Sequence, residues 1–334
     1  MLVISNKNSI YGKTTLFFSA LNNWFKMMTC IAIVLIFPEK ILAQHNEVYV
    51  FAYFNNNGKD GLHLAYSNDG YKWKALNNDS AILKPTVAKD KLMRDPCIIK
   101  GEDGLFHMVW TVSWNDKGIG YASSKDLINW SEQQFIPVMA QEDSARNCWA
   151  PEITYDKKKK KYMIYWATTI AGKYKMDTVV ENGYNHRMYY VTTKNFKAFS
   201  KTKLLYDRGF NVIDATIVPD GKNYIMFLKD ETRIPPQKNI KIAVSKNLTK
   251  GYSVPSIPIT GNYWAEGPTT LKMGNTWIVY FDKYRDHAYG AIQSIDLKNW
   301  TDVSDKIVLP KGIRHGSIFT ISQAELEILL DHRL

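Results

Sequence analysis

From Val48 to Ile321 the chain reads as a succession of short runs in which apolar and polar residues alternate, cut by turns rich in Gly, Asn and Asp. Alternation of period two over a few residues marks a β-strand in a sheet, and no stretch of helical period interrupts the series. One pattern returns five times. It reads Leu64-Ala65-Tyr66-Ser67-Asn68-Asp69 with Trp73, then Tyr121-Ala122-Ser123-Ser124-Lys125-Asp126 with Trp130, then Tyr190-Val191-Thr192-Thr193-Lys194-Asn195 with Phe199. It returns as Ile242-Ala243-Val244-Ser245-Lys246-Asn247 with Tyr252 and as Ala291-Ile292-Gln293-Ser294-Ile295-Asp296 with Trp300. The copies lie about 50 to 70 residues apart, a blade-sized period. Each is a short strand, a Ser/Thr-x-Asp/Asn turn whose side chains bond nearby backbone, and an aromatic residue that opens the next strand. Two further strand-like runs precede most copies, as in Cys97 to Lys100 and Leu105 to Val112 around Asp103-Gly104. Three or four antiparallel strands in each of five repeats predict an all-β fold, a five-bladed β-propeller.

The two ends supply an independent test. Val48 to Phe54 and Gly61 to Ser67 lack an inner strand before them, whereas His315 to Ile321 is an inner-type strand with no outer partners after it. Pairing the N-terminal strands with this C-terminal inner strand completes the fifth blade and closes the ring, which removes exposed sheet edges. The expected layout is therefore a propeller domain over residues 44–322 and a short tail over 323–334, with Gln323 to Leu330 as a helical surface cap. Residues 1–43 read as a signal peptide with an over-called start: Lys26, an apolar stretch from Met27 to Phe37, and Ile41-Leu42-Ala43 before Gln44. The stretch is too short to span a bilayer. A periplasmic or secreted protein with no membrane insertion after cleavage is expected. Cys30 follows no lipoprotein pattern, and Cys97 and Cys148 remain in the mature chain, with pairing left open.

Composition changes this picture little. With 45% apolar and 22% charged residues, the 334-residue chain is that of an ordinary folded protein. Aromatic content is 13%, spread along the chain, which suits both β cores and sugar-binding clefts. The net charge of +11 raises the question of a polyanionic partner. Much of the excess, however, sits in turns such as Lys157 to Lys161, which reads as a solvated hairpin tip. No nucleic-acid motif, phosphate loop or clustered metal-ligand set occurs, so those classes are set aside.

The chemistry is concentrated where inner strands begin. Asp95 stands in Arg94-Asp95-Pro96, Glu152 in Trp149-Ala150-Pro151-Glu152, Asp214 in Ile213-Asp214-Ala215, Glu266 in Trp264-Ala265-Glu266-Gly267-Pro268, and His315 in Arg314-His315-Gly316. Every blade begins with a polar or ionisable group, and inner strands line a common channel, so five such groups are expected to converge at its mouth. A lone Asp-Pro is an ordinary turn signal. Asp214 is more telling, since a charge flanked by apolar residues on a buried strand is costly. Hydrolysis of a glycosidic bond by direct displacement needs such a layout: a carboxylic acid to protonate the leaving oxygen, and a carboxylate, roughly 6.5 to 9.5 Å away, to activate water. A third carboxylate raises the acid's pKa. Asp103, Asp156 and Asp220 fall in hairpin turns and carry no such role.

In these motifs, their order and their spacing, residues 46 to 321 resemble glycoside hydrolase family 43, propeller glycosidases acting on arabinose-, xylose- and galactose-containing polysaccharides. The resemblance implies Asp95 as general base, Asp214 as the residue that tunes and orients the acid, and Glu266 as general acid, with inversion. It implies an exo-acting hydrolase of plant-type polysaccharide side chains, α-L-arabinofuranosidase or β-xylosidase in type, with an exo-galactanase or a non-catalytic carbohydrate-binding propeller as alternatives. Some members hold a hydrated cation on the axis at the position of His315. One His is a poor metal site, so His315 is expected first as a channel-lining hydrogen-bonding residue, with no metal ligands and no cofactor required, and a structural cation on the propeller axis near His315 stays open as the alternative. Expected substrate-binding residues are Arg94, Trp114, Trp149, Glu152, His186, Lys229, Trp264, Arg285 and His315. Trp166 and Tyr263 are further candidate rings; Arg233, Lys283 and Arg314 are further cations, suited to hydroxyls or a uronate. His186 ends the insertion 169–186, which would wall one side of the mouth.

Overall fold

The computed structural model describes residues 47–174 and 183–332. The leader expected over residues 1–43 and part of the insertion 169–186 lie outside the described residues. No helix among the described residues is long and apolar enough to cross a membrane.

The strands form five sheets, each a blade. The first blade holds β4 (Arg94–Lys100), β5 (Phe106–Thr111), β6 (Ile119–Ser124) and β7 (Gln134–Ile136). The second holds β8 (Trp149–Asp156), β9 (Lys161–Thr168), β10 (Arg187–Thr193) and β11 (Lys203–Tyr206). A three-stranded third blade holds β12 (Val212–Asp220), β13 (Asn223–Asp230) and β14 (Asn239–Ser245), and the fourth holds β15 (Glu266–Met273), β16 (Thr276–Lys283), β17 (Ala288–Ser294) and β18 (Thr301–Asp302). The fifth joins both ends of the described chain. Its inner strand β19 (Ser317–Ser322) pairs with β1 (Glu47–Tyr53), followed by β2 (His63–Ser67) and β3 (Lys74–Ala75). The expected ring closure is therefore present.

Inner strands β4, β8, β12, β15 and β19 neighbour one another around the axis. Between each pair of blades lies its own apolar core. Middle strands feed two cores at once: on β9, Ile164 and Trp166 pack toward the first blade while Met163, Tyr165 and Ala167 pack toward the third. Both faces of such a strand are dry, so its sequence is almost continuously apolar.

The five-fold motif ends the third strand of each blade. Ser67, Ser124, Thr193 and Ser294 each accept the N–H three residues on, at 2.9 Å in each case. The residue donating it has positive φ: Gly70 at 71°, Leu127 at 65°, Phe196 at 56° and Leu297 at 60°. The last helix, α1 (Gln323–Asp331), starts in a capping box between Ser322 and Glu325 and buries Leu326 and Leu329 between the first and fifth blades. It is the expected cap.

Near the axis, side chains on one blade bond backbone on the next. Ser317 Oγ accepts the Ile98 N–H (2.9 Å), Cys97 Sγ that of Ile153 (3.4 Å), the Tyr165 hydroxyl that of Ile217 (2.8 Å), and Thr269 Oγ1 that of Ile318 (3.1 Å). These bonds satisfy inner-strand donors that no sheet partner reaches. Cys97 and Cys148 are both buried free thiols.

Candidate active site

Four inner strands open with the same distortion. The ladder slips between Arg94 and Cys97, Trp149 and Glu152, Ile213 and Thr216, and Glu266 and Thr269. Within each bulge one residue has positive φ: Asp95 at 51°, Ala150 at 46°, Asp214 at 50° and Gly267 at 59°. Such bulges redirect side chains at the rims of β-structures. A non-glycine residue in this conformation costs about 1–3 kcal/mol and persists where its surroundings enforce it.

This register corrects one expectation. Asp95 and Asp214 are equivalent, but Glu266 stands one position earlier, level with Arg94, and Glu152 stands two positions later, level with Cys97, Thr216 and Thr269. Glu152 therefore sits farther down the channel. It accepts the Tyr165 hydroxyl (2.9 Å) and lines the opening at the opposite face. Burial pushes it up to about 7, with Thr216, His315 and Tyr165 pulling it down.

At the mouth, a cavity of about 370 Å³ is bounded by Asp95, Asp214 and Glu266 together with Arg94, Trp114, Trp149, Lys229 and His315. Thr111, Ile213, Glu231, Tyr284 and Arg314 complete its wall. Asp95 accepts the Thr111 hydroxyl (2.8 Å) and faces His315 Nδ1 (3.4 Å). Burial pushes the Asp95 carboxyl up, but the His315 hydrogen bond and charge, Arg94 and Thr111 outweigh it and hold it below the usual range. His315 is the counterpart. Burial opposes its charge, yet Asp95, Asp214 and Glu152 raise it to about 9, so it is an imidazolium at neutral pH. Its ring lies against Gly267, where a Cβ would come within 2.3 Å of His315 Cγ.

Asp214 Oδ2 accepts the Gly267 N–H (3.2 Å), which ties it to the bulge presenting Glu266. Burial raises Asp214 to about 6; His315 and Lys229 work against the rise, and Glu266 and Asp95 add to it. Glu266 is held at both oxygens, by Lys229 Nζ (2.9 Å) and Arg314 Nη2 (3.3 Å). Each cation has a second acid behind it. Lys229, 1% exposed, also pairs with Glu231 (2.6 Å), which meets Lys238 (2.5 Å). Arg314 Nε donates to the buried Asp282, which burial raises to about 6 against the pull of Arg314.

An aromatic wall faces the acids. Arg94 lies between Phe54 and Trp114, 4.7 and 4.3 Å from their centroids, and bonds Asn57 (2.7 Å). Trp149 stands perpendicular to the exposed Trp114 and donates from Nε1 to its carbonyl (3.0 Å).

Three other expected binding residues lie elsewhere. His186 is buried behind Trp149, 4.8 Å away, with Nδ1 against Asn211 (2.9 Å); burial lowers it to about 4, so it is a neutral prop. Trp264 packs on Tyr284, 5.8 Å away, and Arg285 covers Trp264 at 4.9 Å, both outside the cavity. Trp166 is core, since its alternate position on β9 turns it toward the first blade, and Tyr263 stacks on Phe281. Thr111, Glu231 and Tyr284 escaped the sequence reading because each sits at the mouth end of a second strand, or just beyond it, in no recurring motif. Among the described residues no group of three or more His, Cys, Asp or Glu is arranged to hold a metal ion.

A family model for proteins related to glycoside hydrolase family 43, described as "Probable glycosyl hydrolase domain", matches residues 44–327. An alpha-L-arabinofuranosidase of Bifidobacterium longum subsp. longum is 24% identical over 260 residues, 66% of this chain and 24% of that protein's length. Two similar solved structures are an alpha-L-arabinofuranosidase from Lactobacillus brevis (TM-score 0.50, 21% identity) and a thermostable family-43 glycoside hydrolase (TM-score 0.52, 19% identity). The first match covers 64% of this chain and 72% of the other, the second 68% and 81%.

Proposed function

This chain belongs to glycoside hydrolase family 43, and from that membership we propose that it is an inverting, exo-acting glycosidase of plant-type polysaccharide side chains, α-L-arabinofuranosidase first in type and β-xylosidase second. One observation carries the reading: Asp95 and Glu266, on different inner strands, face a single cavity with Asp214 beside them. At about 370 Å³ this cavity is near the small end of the usual range for ligand sites, which supports removal of terminal sugars one at a time. The name of the Bifidobacterium relative supports arabinose.

In this reading Trp114 and Trp149 seat the sugar ring, and Asp95 accepts a proton from water as that water attacks the anomeric carbon. The glycosidic C–O bond breaks on the opposite side, and Glu266 gives its proton to the departing oxygen. His315 and Thr111 hold the Asp95 carboxylate ionised and in place. Asp214 braces the bulge that aims Glu266, and Lys229 and Arg314 fix the rotamer of its carboxyl group. A substrate outside the cell accords with the leader-like stretch at the N-terminus and with a periplasmic or secreted location.

Glu266→Gln and Asp95→Asn test the assignment. Each is expected to lower release of sugar from 4-nitrophenyl α-L-arabinofuranoside and 4-nitrophenyl β-D-xyloside about 10²- to 10⁴-fold, with an unchanged far-ultraviolet spectrum. Full activity in either variant would refute its role.

A further inference from the structure

A second cavity, about 490 Å³, lies on the other side of Arg314, between the fourth and fifth blades. Tyr284 and Arg314 line both spaces and form the partition between them. Tyr289, Leu309, Pro310 and Lys311 are among its other lining residues. An aromatic side chain, apolar neighbours and a cation around one space suit a sugar ring, which offers an apolar face and a girdle of hydroxyls.

The direction follows from how Glu266 is held. At Oε2 it meets Lys229, which is buried and backed by Glu231 and Lys238, so that side of the carboxyl group is held by a chain of ion pairs. At Oε1 it meets Arg314, and beyond Arg314 the second cavity opens. The guanidinium carries five N–H groups. Two bond Asp282 and Glu266, which leaves three to meet a ligand from either side.

Resting on the glycosidase reading above, we propose that this cavity is the seat of the leaving-group saccharide. It makes the enzyme selective for substrates with at least two sugar units beyond the bond that is cut, and Arg314 is the residue that couples this seat to Glu266. A unit directly attached to the departing oxygen spans the partition, and the next unit lies between Tyr289 and Leu309. A small aryl leaving group does not reach that far.

The test compares kcat/KM on 4-nitrophenyl glycosides with kcat/KM on oligosaccharides of two, three and four units, in the arabinose and xylose series. Wild-type protein is expected to gain at least tenfold from two to three units in the series it hydrolyses. Leu309→Trp, which fills the cavity from a half-exposed position, is expected to abolish that gain and leave aryl-glycoside turnover within twofold; Lys311→Ala, on the exposed rim, reduces the gain without touching the core. A flat chain-length profile in wild-type protein overturns the proposal, as does an equal loss on aryl and oligomeric substrates in both variants. Turnover of neither substrate class by wild-type protein would instead remove the glycosidase reading itself.

Discussion

Asp95 and His315 titrate as partners, and their pairing has a measurable consequence. The folded chain keeps a proton on His315 up to about pH 9, whereas an unfolded His releases it near 6.5. The raised His315 therefore contributes stability that is complete near pH 6.5, while Asp95 remains ionised, and that contribution is lost as pH rises through about 9. In His315→Gln this decline should vanish. Equilibrium denaturation at pH 6, 7.5 and 9.5 checks it: the wild-type curve is expected to fall relative to the variant across that window, and parallel curves would contradict the pairing. Asp95, Asp214 and Glu266 were legible at this scale because Asp or Glu before an inner strand is conspicuous. Their hydrogen bonds were not, because Thr111 reaches Asp95 from the neighbouring strand of its own hairpin and Arg314 reaches Glu266 from the segment before β19, and no recurring motif marks either pairing.

The blade repeat was legible because it carries its own turn chemistry: a hydroxyl residue, an Asp or Asn two further on, and an aromatic. The registration of the inner strands was harder. Aligning acids with one another put Glu152 beside Asp95, whereas Pro96, Pro151 and Pro268 are the residues that share a bulge position, and alignment on them would have moved Glu152 down the channel. There it belongs to the interblade bonding near the axis. Tyr165→Phe tests that role, since it leaves the Ile217 N–H and the Glu152 carboxyl without the hydroxyl that joins them. Stranding a buried donor costs about 1–3 kcal/mol. Chemical denaturation is expected to register that loss while kcat on an aryl glycoside stays within twofold; a loss of kcat with unchanged stability would return Glu152 to the active site.

In the molecule as a whole, closure by β1 and β19 puts His315, two residues before the last inner strand, beside Asp95 on the first. Without that seam the proposed base would lack its partner. The incomplete blades at the two ends made the seam legible, whereas nothing in the sequence disclosed that the mouth divides at Arg314 into two cavities. Charge is also distributed by face. β8 runs from Trp149 at the mouth to Asp156, so the run Lys157 to Lys161 lies at the opposite end of its blade from Asp95, Asp214 and Glu266. Single displacement between Asp95 and Glu266 inverts the anomeric carbon, which proton NMR of the first sugar released reports. The anomer opposite to the substrate's is expected first, followed by mutarotation; first appearance of the substrate's own anomer would refute single displacement.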